Sequence, residues 1–92
     1  MTETVDIARK RLAMRSMRRG IKEMDLILTD FATRNLPGYD AAALAEYEAL
    51  LDESDLDIYS WISGQAQPPA RFSVLVAEIS VGASGLTRPR EA

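Results

Sequence analysis

The chain contains neither cysteine nor histidine. It can form no disulfide, and a zinc site here would lack both of that metal's preferred ligand types. Ser-His-Asp and Cys-His catalysis are excluded within the chain, and the usual proton shuttle near neutral pH is missing. Any chemistry built here would rest on carboxylates, lysine, tyrosine or a cofactor. Glycine and proline are scarce, 5 and 4 of 92 residues, which excludes collagen-like and low-complexity chains. No apolar run approaches the roughly 18 residues that a membrane-spanning helix needs. Neither a Gly-x-Gly-x-x-Gly fingerprint nor a P-loop is present, so the two commonest nucleotide-binding motifs are absent.

What remains is 47% apolar and 27% charged, the composition of one small globular domain. The net charge of −3 is unevenly spread. Residues 1–23 hold seven cations (Arg9, Lys10, Arg11, Arg15, Arg18, Arg19, Lys22) against three carboxylates, a surplus of +4. Residues 24–57 hold nine carboxylates against Arg34, a surplus of −8. Such polarity favours a charged protein partner over bulk nucleic-acid binding. The run "RKRLAMRSMRR" would suit weak nucleic-acid binding at low salt, but no aromatic residue is interleaved in it.

The apolar spacing predicts five short helices in a compact all-α bundle. Thr4 is placed to cap a first helix with Asp6 in its first turn, running toward Arg18. Its apolar positions, Ile7, Leu12, Met14 and Met17, make a ragged stripe, so it is expected to be the least buried. After Gly20, Ile21, Met24, Ile27, Leu28 and Phe31 recur at three- and four-residue intervals and mark a core helix, which "NLPG" ends. Asp40, flanked by Tyr39 and Leu44, caps a third helix that turns Leu44, Tyr47, Leu50 and Leu51 inward. Ser54 and Asp57 resemble a capping box ahead of Ile58, Tyr59, Trp61 and Ile62, with Gly64 closing that helix. Trp61 is expected in the core and Tyr59 half-exposed. Beyond the connector "QAQPPA", Phe72, Leu75, Val76 and Ile79 repeat the helical spacing. Residues 1–82 are read as the domain and 83–92 as a flexible tail.

The stretch "RRGIKEMD", residues 18–25, raises a puzzle, since glycine inside a helix costs about 1 kcal/mol relative to alanine. Either two helices meet at Gly20 and it relieves the turn, or its missing side chain lets a partner's backbone approach. If the helix continues, Arg19 and Glu23 share its face with Gly20. The pair could equally be an ordinary surface ion pair.

"RRGIKEMD" resembles the Arg-Gly-x-x-Glu signature of the SdhE family of FAD assembly factors, bacterial relatives of the mitochondrial succinate dehydrogenase assembly factor. The likeness extends upstream to Arg11 and Leu12 and downstream to "DIYSW", where Asp57 falls 34 positions after Glu23. It covers roughly residues 9–80. Many bacterial members place a large aromatic just before the motif, where this chain has Met17.

The resemblance implies a chaperone-like assembly factor without a catalytic residue of its own. Its partner would be the flavoprotein subunit of succinate dehydrogenase, and by extension of fumarate reductase, in which the flavin 8α-methyl carbon becomes bonded to a histidine. FAD would be carried by the partner, with no cofactor or metal held stably by this chain. Gly20 would allow close approach, Arg19 and Glu23 would pair with the partner, Arg18, Arg11 and Lys22 would form an electrostatic rim, and Asp25 and Tyr59 would complete the contact set. An antitoxin-like binding role is the alternative, since relatives have carried that label. The protein is expected to be a monomer when free, without membrane insertion or nucleic-acid partner. Its N-terminus is arginine-rich like a transit peptide. Glu3, Asp6 and the direct run into the motif instead suggest a bacterial cytoplasmic protein with no removable presequence.

Overall fold

The computed structural model describes residues 3–83, which form five α-helices joined by short links. Helix α1, Val5–Arg15, starts where Thr4 Oγ1 accepts the Ile7 N–H at 3.1 Å. It stops short of Arg18. The buried Ser16 donates its hydroxyl proton to the Leu12 carbonyl at 2.8 Å, and the Tyr47 hydroxyl donates to Ser16 Oγ at 2.5 Å. Two residues on, Arg18 adopts φ +56°, the left-handed conformation that ends helices. Leu12 is the one buried residue within α1, while Ile7, Met14 and Met17 are exposed.

Helix α2, Lys22–Asn35, buries Met24, Ile27, Leu28, Phe31 and Ala32, the face its spacing predicts. It gives way to a 3-10 turn, Leu36–Gly38, at Pro37. Helix α3, Ala41–Leu51, opens with Asp40 Oδ1 accepting the Ala43 N–H at 2.9 Å and buries Leu44, Tyr47, Leu50 and Leu51.

Helix α4, Asp55–Ile62, departs from expectation at its start. Ser54 occupies the capping position but its side chain makes no capping bond, so the capping box with Asp57 does not form. The helix ends as expected: Gly64, at φ +83°, donates to the Trp61 carbonyl at 3.3 Å and Gln65 donates to the Ser60 carbonyl at 2.8 Å, the paired bonds of a glycine-terminated helix. Trp61 is a correction as well. It is only partly buried, stacked on Phe72 at the rim of the core with ring centroids 6.1 Å apart, because the short α4 sends only Ile58 fully inside.

A second 3-10 turn, Ala70–Phe72, leads into α5, Ser73–Ala83, which buries Val76, Ile79 and Ala83. Ala83, read from sequence as the first tail residue, thus closes a core helix; residues 84–92 lie outside the described part. Helix α2 packs on α1 and α5, α1 on α3, and α4 on α5. The single core draws Leu12, Leu28, Leu50, Ile58 and Ile79 from all five helices, each aliphatic contributing about 1.5–3 kcal/mol on burial.

Candidate partner-binding site

Three arginines four residues apart, Arg11, Arg15 and Arg19, climb from α1 into the α1–α2 link. Each meets an acid. Arg11 donates through Nε to Glu3 at 2.7 Å and through Nη1 to Glu48 at 2.5 Å. Arg15 donates to Asp52 at 2.8 Å, and Arg19 Nη2 lies 2.7 Å from Asp55 Oδ1. The basic N-terminal run and the acidic middle of the chain therefore neutralise each other as a ladder along α1, α3 and the start of α4. Bonds from the Arg11 guanidinium hold the Glu3 and Glu48 carboxyls below their ordinary range, outweighing a smaller opposing effect of burial. The same two bonds raise the Arg11 pKa.

The top rung is the most enclosed, with the Arg19 and Asp55 side chains 12% and 20% exposed. Besides Asp55, Arg19 donates through Nη1 to the Arg15 carbonyl at 2.8 Å and through Nη2 to the Leu51 carbonyl at 3.1 Å. One side chain thus joins the ends of α1 and α3 to the start of α4. Asp55 Oδ2 also accepts the Gly20 N–H at 2.9 Å. From the other side, Asp25 Oδ1 accepts the Arg18 N–H at 2.8 Å and the Thr29 hydroxyl at 3.3 Å. Below them sits Tyr47, whose burial pushes its phenol up to about 12. Residues 16–21 are therefore a non-helical link pinned by carboxylates from two helices.

Gly20 lies in this link, not inside a helix, and so Arg19 and Glu23 do not share a continuous helical face. Arg19 turns into the fold. Glu23, in the first turn of α2, is exposed and makes no hydrogen bond or ion pair among the described residues. Gly20 is exposed, and its φ is outside the left-handed region that favours glycine. A Cβ added there would meet only Asp55 Oδ2, at an ordinary 3.5 Å. Neither the packing nor the backbone of this fold requires a glycine at position 20.

Of the residues expected at the site, Arg18, Gly20, Lys22 and Glu23 form an exposed set on the link and the first turn of α2, with Met17 beside them. Arg19 and Asp25 hold that set in place. Arg11 lies two rungs down, bonded to two carboxylates. Tyr59 stands one turn beyond Asp55 on α4, partly buried against the core. Sequence reasoning did not single out Asp55 or Ser16. Their partners lie 36 and 31 positions away, and the only local signal for Asp55 is a carboxylate in the first turn of a helix.

No helix among the described residues is long and apolar enough to cross a membrane. The chain is similar to the succinate dehydrogenase assembly factor 2 proteins, named as mitochondrial, of Debaryomyces hansenii (51% identity over 64% of this chain and 42% of that protein) and Schizosaccharomyces japonicus (46% over 76% and 49%). The corresponding Schizosaccharomyces pombe protein is 43% identical over 76% of this chain and 50% of its own length. The chain therefore spans about half the length, or less, of these relatives. Their mitochondrial names give no support to the bacterial origin expected from the sequence. A family model described as the flavinator of succinate dehydrogenase matches residues 10–81. That match takes in α2, α3 and α4 whole and all of the pinned link with its exposed glycine, and on it the chain belongs to the family of succinate dehydrogenase flavination factors.

Proposed function

We propose that the chain docks on the flavoprotein subunit of succinate dehydrogenase, and of the related fumarate reductase, and promotes covalent attachment of FAD there. The observation that carries this reading is Gly20: a fold that has room for a side chain at an exposed, rigidly held position and a backbone that accepts one. The bare position suits the close approach of another backbone. Beside it Glu23 is an exposed carboxylate with nothing to hold it in the free protein, available to pair across an interface.

The attachment chemistry belongs to the flavin, and a protein can assist by orientation and electrostatics. With no histidine, this chain cannot accept the flavin. Its role is to hold the flavoprotein's FAD-binding and capping regions so that the acceptor histidine faces the 8α-methyl carbon. The five-helix core and the ladder of ion pairs give a stiff platform for that task. The free protein is a monomer in this reading.

In-gel fluorescence of the flavoprotein subunit, made in cells with and without this protein, tests the proposal. Covalent flavin should fall sharply in its absence. It should also fall with Glu23→Ala, since removing one member of an interfacial charge pair costs about 2–5 kcal/mol, while the variant's own stability changes by no more than about 0.5 kcal/mol. Undiminished flavinylation without the protein would overturn the proposal.

A further inference from the structure

The ion-pair ladder leaves a remainder with a pattern. Among the described cations, Arg9, Arg11, Arg15, Arg19, Arg34 and Arg71 are each paired with a carboxylate. Lys10, Arg18 and Lys22 have no such partner among the described residues, and all three are exposed. They are not scattered. Lys10 shares the outer face of α1 with Ile7 and Met14, at three- and four-residue spacing. Arg18 and Lys22 continue from the end of α1 through the link to the start of α2. Exposed apolar side chains accompany them: Met14 at 74%, Met17 at 48%, with Ile7 and Leu26.

Between α1 and the far half of α2 runs an open cleft of about 420 Å³. Ala13, Ala32, Leu36 and Pro37 give it an apolar floor, and Lys10 and Thr33 stand on its two sides. At its far end Asp6 is bonded to Arg9 Nη1 at 3.1 Å, and toward the link Asp25 is engaged by the Arg18 N–H and by Thr29. Past the cleft the Thr29 hydroxyl lies 3.4 Å from the Ser16 carbonyl, where α2 meets the start of the pinned link. Arg18 and Lys22 stand outside the cleft, on the link and first turn of α2 that also present Gly20.

We infer that the α1–α2 cleft and the methionine stripe beside it receive an acidic, amphipathic segment of the same partner, with apolar side chains on the cleft floor and carboxylates on Lys10, Arg18 and Lys22. The inference rests on the flavoprotein reading and names the chemistry of the docking segment. Methionine suits such a surface because its flexible, polarisable side chain adapts to a partner's shape. Charge complementarity selects an acidic occupant over a basic one, since three cations without a carboxylate partner among the described residues, Lys10, Arg18 and Lys22, gather here against one exposed carboxylate likewise without a partner there, Glu23. An acidic segment is thereby drawn to this face.

The test compares wild-type protein, a Lys10→Glu/Met14→Ser double variant and Gly20→Arg for binding to purified flavoprotein subunit at low and physiological salt. The double variant should raise Kd at least tenfold (about 1.4 kcal/mol), lose part of the salt dependence and keep its melting temperature, both positions being exposed. A photo-crosslinking analogue in place of Met14 should capture an acid-rich peptide of the flavoprotein. If wild type binds and the double variant binds equally well, or the captured peptide carries no carboxylates, the cleft inference falls while the flavoprotein reading stands. If wild type shows no binding, both fall.

Discussion

Asp55 and Glu23 flank the same link, and their surroundings assign them different work. Asp55 receives the Arg19 guanidinium through one oxygen and the Gly20 N–H through the other, at 2.8 and 2.9 Å. Deleting it strands a mostly enclosed cation and removes the acceptor that holds the exposed Gly20 N–H. Breaking a fully buried pair costs about 3–5 kcal/mol, and discounting for the partial exposure here leaves on the order of 2 kcal/mol for Asp55→Ala. For a domain of this size that is about 8–16 °C in Tm. Thermal melts followed by circular dichroism give the answer, and a melting temperature equal to wild type would show that the link is held by other contacts. The distinction between the two carboxylates was not readable from residue type. Glu23 belongs to a recognisable motif, whereas Asp55 acquires its role from a partner 36 positions away.

Among the helices, α2 and α3 were legible because their apolar residues recur at helical spacing and proline or aspartate marks their ends. The far end of α1 was not. Its stop at Arg15 depends on a Ser16 hydroxyl bonded to Tyr47 on another helix, a contact without local signature. Trp61 misled for a related reason: size argues for burial, but the short α4 has room for only one residue inside. Helix α1, with only Leu12 buried within it, is tied to α3 by the Ser16–Tyr47 bond and by the Arg11–Glu48 and Arg15–Asp52 ion pairs, and the Arg11 guanidinium, shared between Glu48 and Glu3 ahead of the helix, makes part of this attachment pH-dependent. Both glutamates have folded-state pKa values below those of the unfolded chain. Their contribution is therefore complete above the ordinary carboxylate range near 4.5 and is lost as pH falls through the lowered values. Amide hydrogen exchange on acidification should show α1 losing protection before α2, with Arg11→Met removing most of the difference in pH response between the two helices. Equal loss in both helices at the same pH would contradict this account.

At the scale of the whole molecule, the sequence pattern showed a strong charge asymmetry that the fold largely cancels internally. The all-α bundle and the position of the motif were legible, and of the two arrangements left open at Gly20 the structure has two helices meeting at a pinned link; the inward turn of Arg19 was not legible, because its partners Leu51 and Asp55 lie 32 and 36 positions away. Bonds from Asp55, Asp25 and Arg19 hold a short stretch of exposed backbone in place, leaving Gly20, Arg18, Lys22 and Glu23 outward. The central claim is that Gly20 is kept bare for a partner and not for the fold. Its most direct test is Gly20→Arg, measured by circular dichroism melting and by capture of the flavoprotein subunit on the same preparation. The account predicts a native helical spectrum and a melting temperature near wild type, with capture of the subunit abolished. Retained capture by the folded variant, or loss of the helical fold together with capture, would contradict it.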